Sequence, residues 1–178
     1  MVEISLTGKH GRGKVAKVSD EDYEFVLQWP WRVHRNQAGY EYVSRYEERK
    51  DGQATISMAR EVLARKLGRS LTSMERADHV SRDTLDNRRE NLRLASCSEN
   101  GANSKLKRNN TSGYRGVSYF PSKKKWRAYI KFRWKRMSLG YYFTKEDAAR
   151  AYDRAAVELF GEFAVLNFTQ ATACADGY

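Results

Sequence analysis

The 178-residue chain is long enough for one compact domain or for two to three small ones, and 40% of its residues are hydrophobic, which suffices for folded cores. It carries 33 Lys and Arg against 22 Asp and Glu, a formal charge of +11 with a pI near 9.7. This balance favours a polyanionic partner, of which nucleic acid is the first candidate and an acidic membrane surface the second. No apolar run reaches the ~18 residues of a spanning helix, and the amino terminus lacks the pattern of a signal peptide. We therefore expect a soluble, intracellular protein without a membrane partner.

Cysteine and histidine usage narrows the chemistry further. Cys97 and Cys174 are the only cysteines, which excludes a disulfide framework and a C-x-x-C zinc site, so no structural zinc is expected. His10, His34 and His79 are the only histidines, and imidazole chemistry is confined to them. His10 lies in a Gly- and Lys-rich turn and His34 beside two tryptophans, and we assign neither a catalytic role.

Residues 1–66 give the weakest signals. Residues 14–18 alternate as a short strand, and Ser19 with Asp22 forms a capping-box pattern that predicts a helix. Further strands are predicted over 40–46 and 54–58, and a helix over 59–67 that Gly68 ends. Three arginines of this region either contact DNA or belong to a solvated surface: Arg32, Arg35 and Arg45.

The central segment, residues 67–108, combines the residue types of a hydrolytic metal site. A short strand ends at Asp78 and His79, a polar loop follows, and residues 92–95 return as a second strand before a helix that carries Asn100. Phosphodiester hydrolysis needs a base to activate water and a cation to neutralise developing charge. Asp78 and Asn100 offer the oxygen donors that Mg²⁺ prefers, and His79, on the other face of the strand, is free to take a proton.

The same segment resembles the HNH nucleases of phages and mobile elements across residues 76–104. The matching positions are Asp78-His79, Asp83-x-x-Asp86-Asn87-Arg88-Arg89-x-Asn91-Leu92-Arg93 and Glu99-Asn100-x-x-Asn103. The resemblance implies a β-β-α metal (His-Me finger) fold, with His79 as general base and with Asp78 and Asn100 as ligands of Mg²⁺ or another divalent cation.

The resemblance also suggests roles for the neighbouring asparagines. Asn91 would hold His79 in its working orientation, and Asn87 and Asn103 would support the site. Arg82 departs from the family, which usually has a glycine near this position. The resemblance further implies action on DNA in the cytoplasm of a bacterial host, at the nucleoid.

Residues 109–170 are predicted to form a basic sheet. The polar, turn-rich residues 109–113 mark a boundary before it. Twelve Lys and Arg lie between Lys105 and Arg136 with no acidic residue among them, interleaved with aromatic strand formers. Strict alternation from Trp126 places apolar residues on one face and basic residues on the other. Thr144 then caps a helix with a stripe of small residues that ends at Gly161.

Three stretches of this region resemble the Apetala-two/ethylene-response-factor DNA-binding domain: Ser112-Gly-Tyr-Arg-Gly-Val117, Leu139-Gly-Tyr-Tyr-Phe143, and residues 148–156 through 166–168. The resemblance implies a three-stranded antiparallel sheet packed on one helix, with the exposed sheet face in the major groove. The expected DNA-binding residues are Arg115, Tyr119, Arg127, Tyr129, Lys131, Arg133, Trp134 and Arg136. Trp134 either stacks on a base or sugar or folds back on the sheet. Ser118 and Ser138 replace readers of the plant domains, so the plant target sequence does not carry over.

We therefore predict an α+β protein with modules at 1–66, 67–108 and 109–170 and a tail at 171–178. It would be an HNH endonuclease that cuts double-stranded DNA and has no obligate protein partner. The alternatives are a noncatalytic DNA-binding regulator that retains the HNH fold and an RNA-binding module. A small-molecule metalloenzyme would leave the charge unexplained. Taken singly, Asp78 and His79 also fit an ordinary surface pair, and the asparagines fit turn and cap residues.

Overall fold

A computed structural model describes residues 1–36, 39–50, 52–106 and 109–168. The protein is α+β, as expected, and all of its described sheets are antiparallel. The chain divides into two compact units, Met1–Ser96 and Cys97–Tyr178. The predicted tail, residues 171–178, lies outside the described residues. Among the helices of the described part, none has the length and apolar character that crossing a membrane requires.

The described part of the first unit contains two hairpins, a three-stranded sheet and two α-helices. Strands β1 (Val2–Ser5) and β2 (Val15–Val18) form the first hairpin, and helix α1 (Asp20–Val26) follows. The sheet has the order β3-β4-β5. Its strands are β3 (Arg32–Arg35), β4 (Glu41–Arg49) and β5 (Gly52–Ser57). Helix α2 (Met58–Leu67) precedes the second hairpin, β6 (Glu75–His79) and β7 (Leu92–Ser96). The strands β1 and β3 were not predicted.

One hydrophobic core holds this unit together. Val18, Trp31, Val43, Val62 and Leu92, from the two hairpins, the sheet and α2, are almost completely buried in the same cluster. The structure thus divides the chain differently from the predicted modules, because the expected boundary at residue 66 crosses a shared core. A two-stranded hairpin buries too little apolar surface to be stable alone, so β6 and β7 depend on the preceding residues.

The predicted C-terminal cap of α2 is correct, whereas the predicted N-terminal cap of α1 is wrong. Gly68 ends α2 in the left-handed conformation, with φ of 66° and its N–H donating to the Arg65 carbonyl, as predicted. Ser19 precedes α1, but its side chain makes no cap hydrogen bond. Its Oγ instead accepts from the backbone N–H of Arg89 at 3.0 Å, and the Asp22 carboxylate pairs with arginines.

The second unit begins with the short helix α3 (Cys97–Ala102) and continues as a sheet and a long helix. The sheet has the antiparallel order β10-β9-β8. Its strands are β8 (Val117–Phe120), β9 (Lys125–Phe132) and β10 (Lys135–Tyr142). Helix α4 (Lys145–Phe160) packs on the sheet, and the Thr144 side chain caps it by accepting from the Asp147 N–H. The predicted three-stranded sheet on one helix is confirmed.

Helix α3 packs within this second unit. Ala102 shares a buried cluster with Ile130, Tyr152, Ala156 and Phe160. The Ser98 hydroxyl also accepts a hydrogen bond from the backbone N–H of Arg133 at 3.0 Å. The compact unit therefore begins twelve residues before the boundary predicted at residue 109, because α3 completes the core under α4.

Candidate functional site

His79 lies at the end of β6 with one edge of its ring against Asn87. Its Nε2 is 3.3 Å from the Asn87 Oδ1. The Asn87 Nδ2 donates to the Leu85 carbonyl at 3.2 Å, which turns the amide oxygen towards the ring. Because that oxygen only accepts, this arrangement favours the tautomer with the hydrogen on Nε2 and with Nδ1 as the basic nitrogen. Burial lowers the pKa of His79 below its ordinary value, so the ring is neutral at pH 7.

Asn91 bonds the backbone of the loop between the two strands. Its Oδ1 accepts from the Ser81 N–H at 2.8 Å, and its Nδ2 donates to the Asp86 carbonyl at 2.7 Å. The resemblance implies that Asn91 orients His79, but the hydrogen bond described at the ring joins the His79 Nε2 to the Asn87 Oδ1, which accepts it. A signal for this existed in the sequence, since Asn87 lies inside the matched motif, but the spacing alone does not tell which asparagine reaches the ring.

The loop turns sharply after His79. The Arg82 N–H donates to the His79 carbonyl at 2.9 Å, and Arg82 itself has a left-handed backbone with φ of 62°. This conformation is normally reserved for glycine, so an arginine here retains the backbone at a cost of about 1 kcal/mol. Arg82 therefore departs from the family's glycine in its side chain, but its backbone still has the left-handed conformation that favours glycine.

The same loop is held by the first hairpin and by α1. Lys17 of β2 exchanges two backbone hydrogen bonds with it, donating to the Leu85 carbonyl at 2.9 Å and accepting from the Asn87 N–H at 2.8 Å. Arg89 donates to both oxygens of Asp22, which is completely buried. Burial raises the pKa of Asp22, but hydrogen bonds from Arg89 and Arg65 outweigh it and hold the pKa below its ordinary value. Residues 1–66 thus fix the loop that carries Asn87.

Asp78 is also buried, with 3% of its surface exposed, and accepts a hydrogen bond from the Arg93 Nε at 2.9 Å. The two residues are cross-strand partners in the β6–β7 register. Within the described residues, no three His, Cys, Asp or Glu side chains are grouped to hold a metal ion. A single carboxylate still fits Mg²⁺, which retains several waters and takes one or two carboxylates together with substrate phosphates. The donor set does not fit structural zinc.

Two further predicted residues lie on or just after α3, in the second unit. Asn100 is half-buried on the helix. Asn103 is buried with 5% exposure, and its backbone N–H donates to the Glu99 carbonyl at 3.1 Å. Asn103 therefore has a structural position at the end of the helix, and the role of Asn100 as a metal ligand stays a prediction.

The second unit presents a basic face on β9 and β10. Ala128 and Ile130 are buried under this sheet, while Lys131 and Arg136 are exposed on its other side, as the alternation predicted. Aromatic rings support the cations. The guanidinium groups of Arg127 and Arg136 lie 5.4 and 4.7 Å from the Tyr129 ring centre, one on β9 and the other on β10. Tyr119 of β8 is 49% exposed and packs edge-on against Trp126.

The tip of the β9–β10 hairpin consists of Arg133 and Trp134. Both have left-handed backbones, with φ of 45° and 68°, which is the type I′ geometry that favours Asn-Gly. Trp134 is 71% exposed, and the Lys131 Nζ lies 5.0 Å from its ring centre. The indole is therefore presented to solvent beside a cation rather than packed on the sheet.

A cavity of about 300 Å³ opens between α3 and this basic face. Among the described residues that line it, three are cationic, Arg115, Lys131 and Arg136, and none is acidic. The neighbouring Gly116 has φ of +70°, and a Cβ there would lie 2.0 Å from the Tyr152 ring, so only glycine fits beside Arg115. The face and the cavity together form a cationic surface suited to phosphates.

The second unit of the chain contains a stretch that is similar to a known DNA-binding domain family. Residues 112–162 match the AP2 domain family, so the chain contains an AP2 domain. The AP2-like ethylene-responsive transcription factor TOE2 of Arabidopsis thaliana is 43% identical over 61 residues, which are 34% of this chain and 13% of the plant protein. APETALA2-like protein 2 of Oryza sativa subsp. indica is 41% identical over 61 residues, 34% of this chain and 14% of the rice protein. The chain therefore spans only a small part of these plant relatives.

A phage protein matches over a larger share of its length. Protein 3.8 of Escherichia phage T7 is 34% identical over 87 residues, which cover 49% of this chain and 71% of the phage protein. The chain belongs to the Protein 3.8 family. In this member of the Protein 3.8 family, the AP2 domain implies DNA binding, and all eight predicted DNA-binding residues lie inside the matched range.

Proposed function

We propose that the protein is a metal-dependent DNA endonuclease that hydrolyses phosphodiester bonds in duplex DNA and is positioned by its AP2 domain. The observation that carries the proposal is the arrangement around His79. A neutral imidazole is held by Asn87 at 3.3 Å, next in sequence to the buried carboxylate of Asp78.

In this proposal, His79 acts as the general base. Its Nδ1 takes a proton from the attacking water, while Asn87 keeps the opposite edge of the ring in position. Asp78 would bind the divalent cation, and Asn100 is the second ligand suggested by the sequence. The cation would neutralise the charge that develops on the phosphate and the leaving oxygen. Arg93, which donates a hydrogen bond to Asp78, would keep the carboxylate oriented.

The AP2 domain would bind the duplex and determine where along it the protein is positioned. Arg115, Arg127, Lys131 and Arg136 would contact phosphates or guanine edges, and the exposed Trp134 would stack on a base or sugar. We expect binding to weaken steeply with salt, since each neutralised phosphate releases counterions.

The decisive experiment is cleavage of supercoiled plasmid by the wild type and by His79→Ala, each with Mg²⁺ and with EDTA. We expect metal-dependent nicking or linearisation by the wild type and a loss on the order of 10²- to 10⁴-fold in the variant. Val80→Ala is the matched control, because it shortens the next, exposed side chain. Duplex binding should be equal in all three proteins.

A noncatalytic DNA-binding regulator is the second candidate, favoured by the transcription-factor name of the Arabidopsis relative. It predicts that wild type and His79→Ala bind duplex DNA equally and that neither cuts a genomic library with any divalent metal. That result would end the nuclease proposal and leave the AP2 domain as the functional part.

A further inference from the structure

The first unit has an aromatic and basic surface that the nuclease proposal does not use. Arg32 and His34 of β3 pair with Ser44 and Tyr42 of β4, and Tyr46 follows on the same face of the sheet. The His34 ring stacks on Tyr42 at 5.6 Å and meets Tyr46 edge-on at 5.1 Å. We call this surface, formed by Arg32, His34, Tyr42 and Tyr46, the N-terminal face.

Exposure and contacts distinguish this face from the packed side of the same sheet. Tyr42 and Tyr46 are 37% and 42% exposed, and the Arg32 guanidinium lies 5.6 Å from the Tyr46 ring centre. Arg45, on the opposite side of β4, is buried at 7% exposure and lies 4.3 Å over the Trp29 ring. Of the arginines considered for DNA contact, Arg45 is therefore structural and Arg32 is presented to solvent.

A basic loop borders the N-terminal face. Thr7 adjoins Arg32 in a parallel bridge, and its N–H donates to the Trp31 carbonyl at 2.8 Å. The chain then turns tightly through Gly11, where a Cβ would lie 2.1 Å from the Thr7 carbonyl oxygen. This turn presents two exposed cations beside the face, Lys9 and Arg12.

The charges of this surface favour an anionic ligand. Glu41, the acid nearest to His34 along the strand pairing, forms ion pairs with Lys14 and Arg35. Glu48 lies at the far end of the sheet, opposite Gln53. Arg32 lies beside the exposed Tyr46, and Lys9 and Arg12 belong to the loop that adjoins Arg32. Exposed cations next to exposed tyrosines suit a sugar-phosphate backbone.

We propose that the N-terminal face and the loop of Lys9 and Arg12 form a second DNA-binding site, which contacts the backbone of the duplex that the AP2 domain holds. Lys9, Arg12 and Arg32 bind phosphates, and Tyr42 and Tyr46 pack against the adjoining sugars. Recognition is then bipartite, with a longer protected segment than the AP2 domain gives alone. The proposal does not depend on cleavage.

The test is binding of full-length protein to duplex DNA in EDTA, at a series of salt concentrations, together with footprinting. Lys9→Ala with Arg12→Ala should lower the slope of log affinity against log salt by about two, since each phosphate contact contributes about 0.9. The protected segment of the duplex should become shorter. Tyr42→Ala with Tyr46→Ala should weaken binding without changing the slope.

Arg49→Ala is the matched control, since it removes one exposed charge at the end of β4, on the other side of the sheet, where Arg49 pairs with Glu47. An unchanged slope and footprint in the Lys9 and Arg12 variant would overturn the proposal, as would a loss restricted to single-stranded DNA or RNA. All substituted charges are exposed, so the variants should fold, and thermal unfolding verifies this. Because no metal is present, the result stands apart from the outcome of the cleavage experiment.

Discussion

The two units use the same charged residue types in different ways. Residues 1–96 carry 18 Lys and Arg against 15 Asp and Glu, and residues 97–178 carry 15 against 7. In the first unit, arginines pair with carboxylates, as in Arg89 with Asp22, Arg88 with Asp86 and Arg93 with Asp78. In the second, the cations of the sheet lie over aromatic rings, as Arg136 does over Tyr129.

This difference separates charges that hold the fold from charges that face a ligand. A carboxylate partner neutralises an arginine and fixes a loop, whereas an aromatic ring orients a cation and leaves its charge available to phosphate. The arginines of the first unit that pair with carboxylates should therefore matter mainly for stability and for the geometry at His79. Those of the AP2 sheet should matter mainly for affinity.

The largest effect is expected at Asp22. Asp22→Ala leaves Arg65 and Arg89 without their shared buried partner and should lower the free energy of unfolding by about 3 kcal/mol. The value lies at the low end for a broken buried pair because both arginines are partly exposed. Urea unfolding measures it, and Glu21→Ala, which removes the exposed partner of Arg89, should cost about 1 kcal/mol or less.

The same pair predicts a pH dependence. The folded-state pKa of Asp22 is lowered, so its contribution is complete above the unfolded pKa of about 4 and is lost as pH falls through the folded value. The stability difference between wild type and Asp22→Asn should therefore shrink in acid. A difference that stays constant down to pH 2 would contradict the role of the ion pair.

A substitution at Asn87 tests whether the orientation of the His79 ring matters for cleavage. Asn87→Ala should reduce cleavage by about 10- to 100-fold, because the His79 ring loses its orienting partner. Burial lowers the pKa of His79, and the hydrogen bond that the Asn87 Oδ1 accepts partly opposes this effect. Without that bond the pKa should fall further, so the acid limb of the pH-rate profile should move to lower pH in the variant. A loss of rate with an unmoved limb would mean that Asn87 only stabilises the loop.

Arg136 tests the cationic sheet. Arg136→Ala should weaken duplex binding by about tenfold and reduce the salt slope by about one, with little change in stability. Arg154→Ala, which removes an exposed charge on α4, is the control and should leave binding nearly unchanged. If Arg136→Ala instead lowered the melting temperature and left affinity intact, the assignment of this charge to ligand binding would be wrong.

The smallest effect is expected at the hairpin tip. Trp134→Gly relieves a left-handed backbone and should raise stability by about 1 kcal/mol, while it weakens DNA binding if the indole stacks on a base or sugar. Chemical unfolding and duplex binding measured on the same variant separate the two effects. Equal affinity would show that the exposed ring has no contact with DNA.

Sequence reasoning was most successful where the determining contacts are local. The alternation along β9, the Thr144 cap of α4 and the left-handed Gly68 at the end of α2 each depend on residues a few positions apart. The sheet and helix of the AP2 domain could therefore be predicted, together with which face of the sheet is buried and which is exposed. The order of strand, loop and strand around His79 was also predicted, since the motif and the hairpin lie within 22 residues.

Other features depend on contacts between distant segments, and only the folded chain decided them. Ser19 accepts from Arg89 across 70 residues, and Asp22 is paired by arginines 43 and 67 residues away, so a local capping pattern was misleading. Arg45 and Arg32 look alike in the sequence, but packing buries one against tryptophan and exposes the other beside tyrosine. The sequence determined which residues could be charged or catalytic. The tertiary structure decided which of those charges pair within the fold and which face solvent, because burial and pairing depend on the distant segments that pack around each residue.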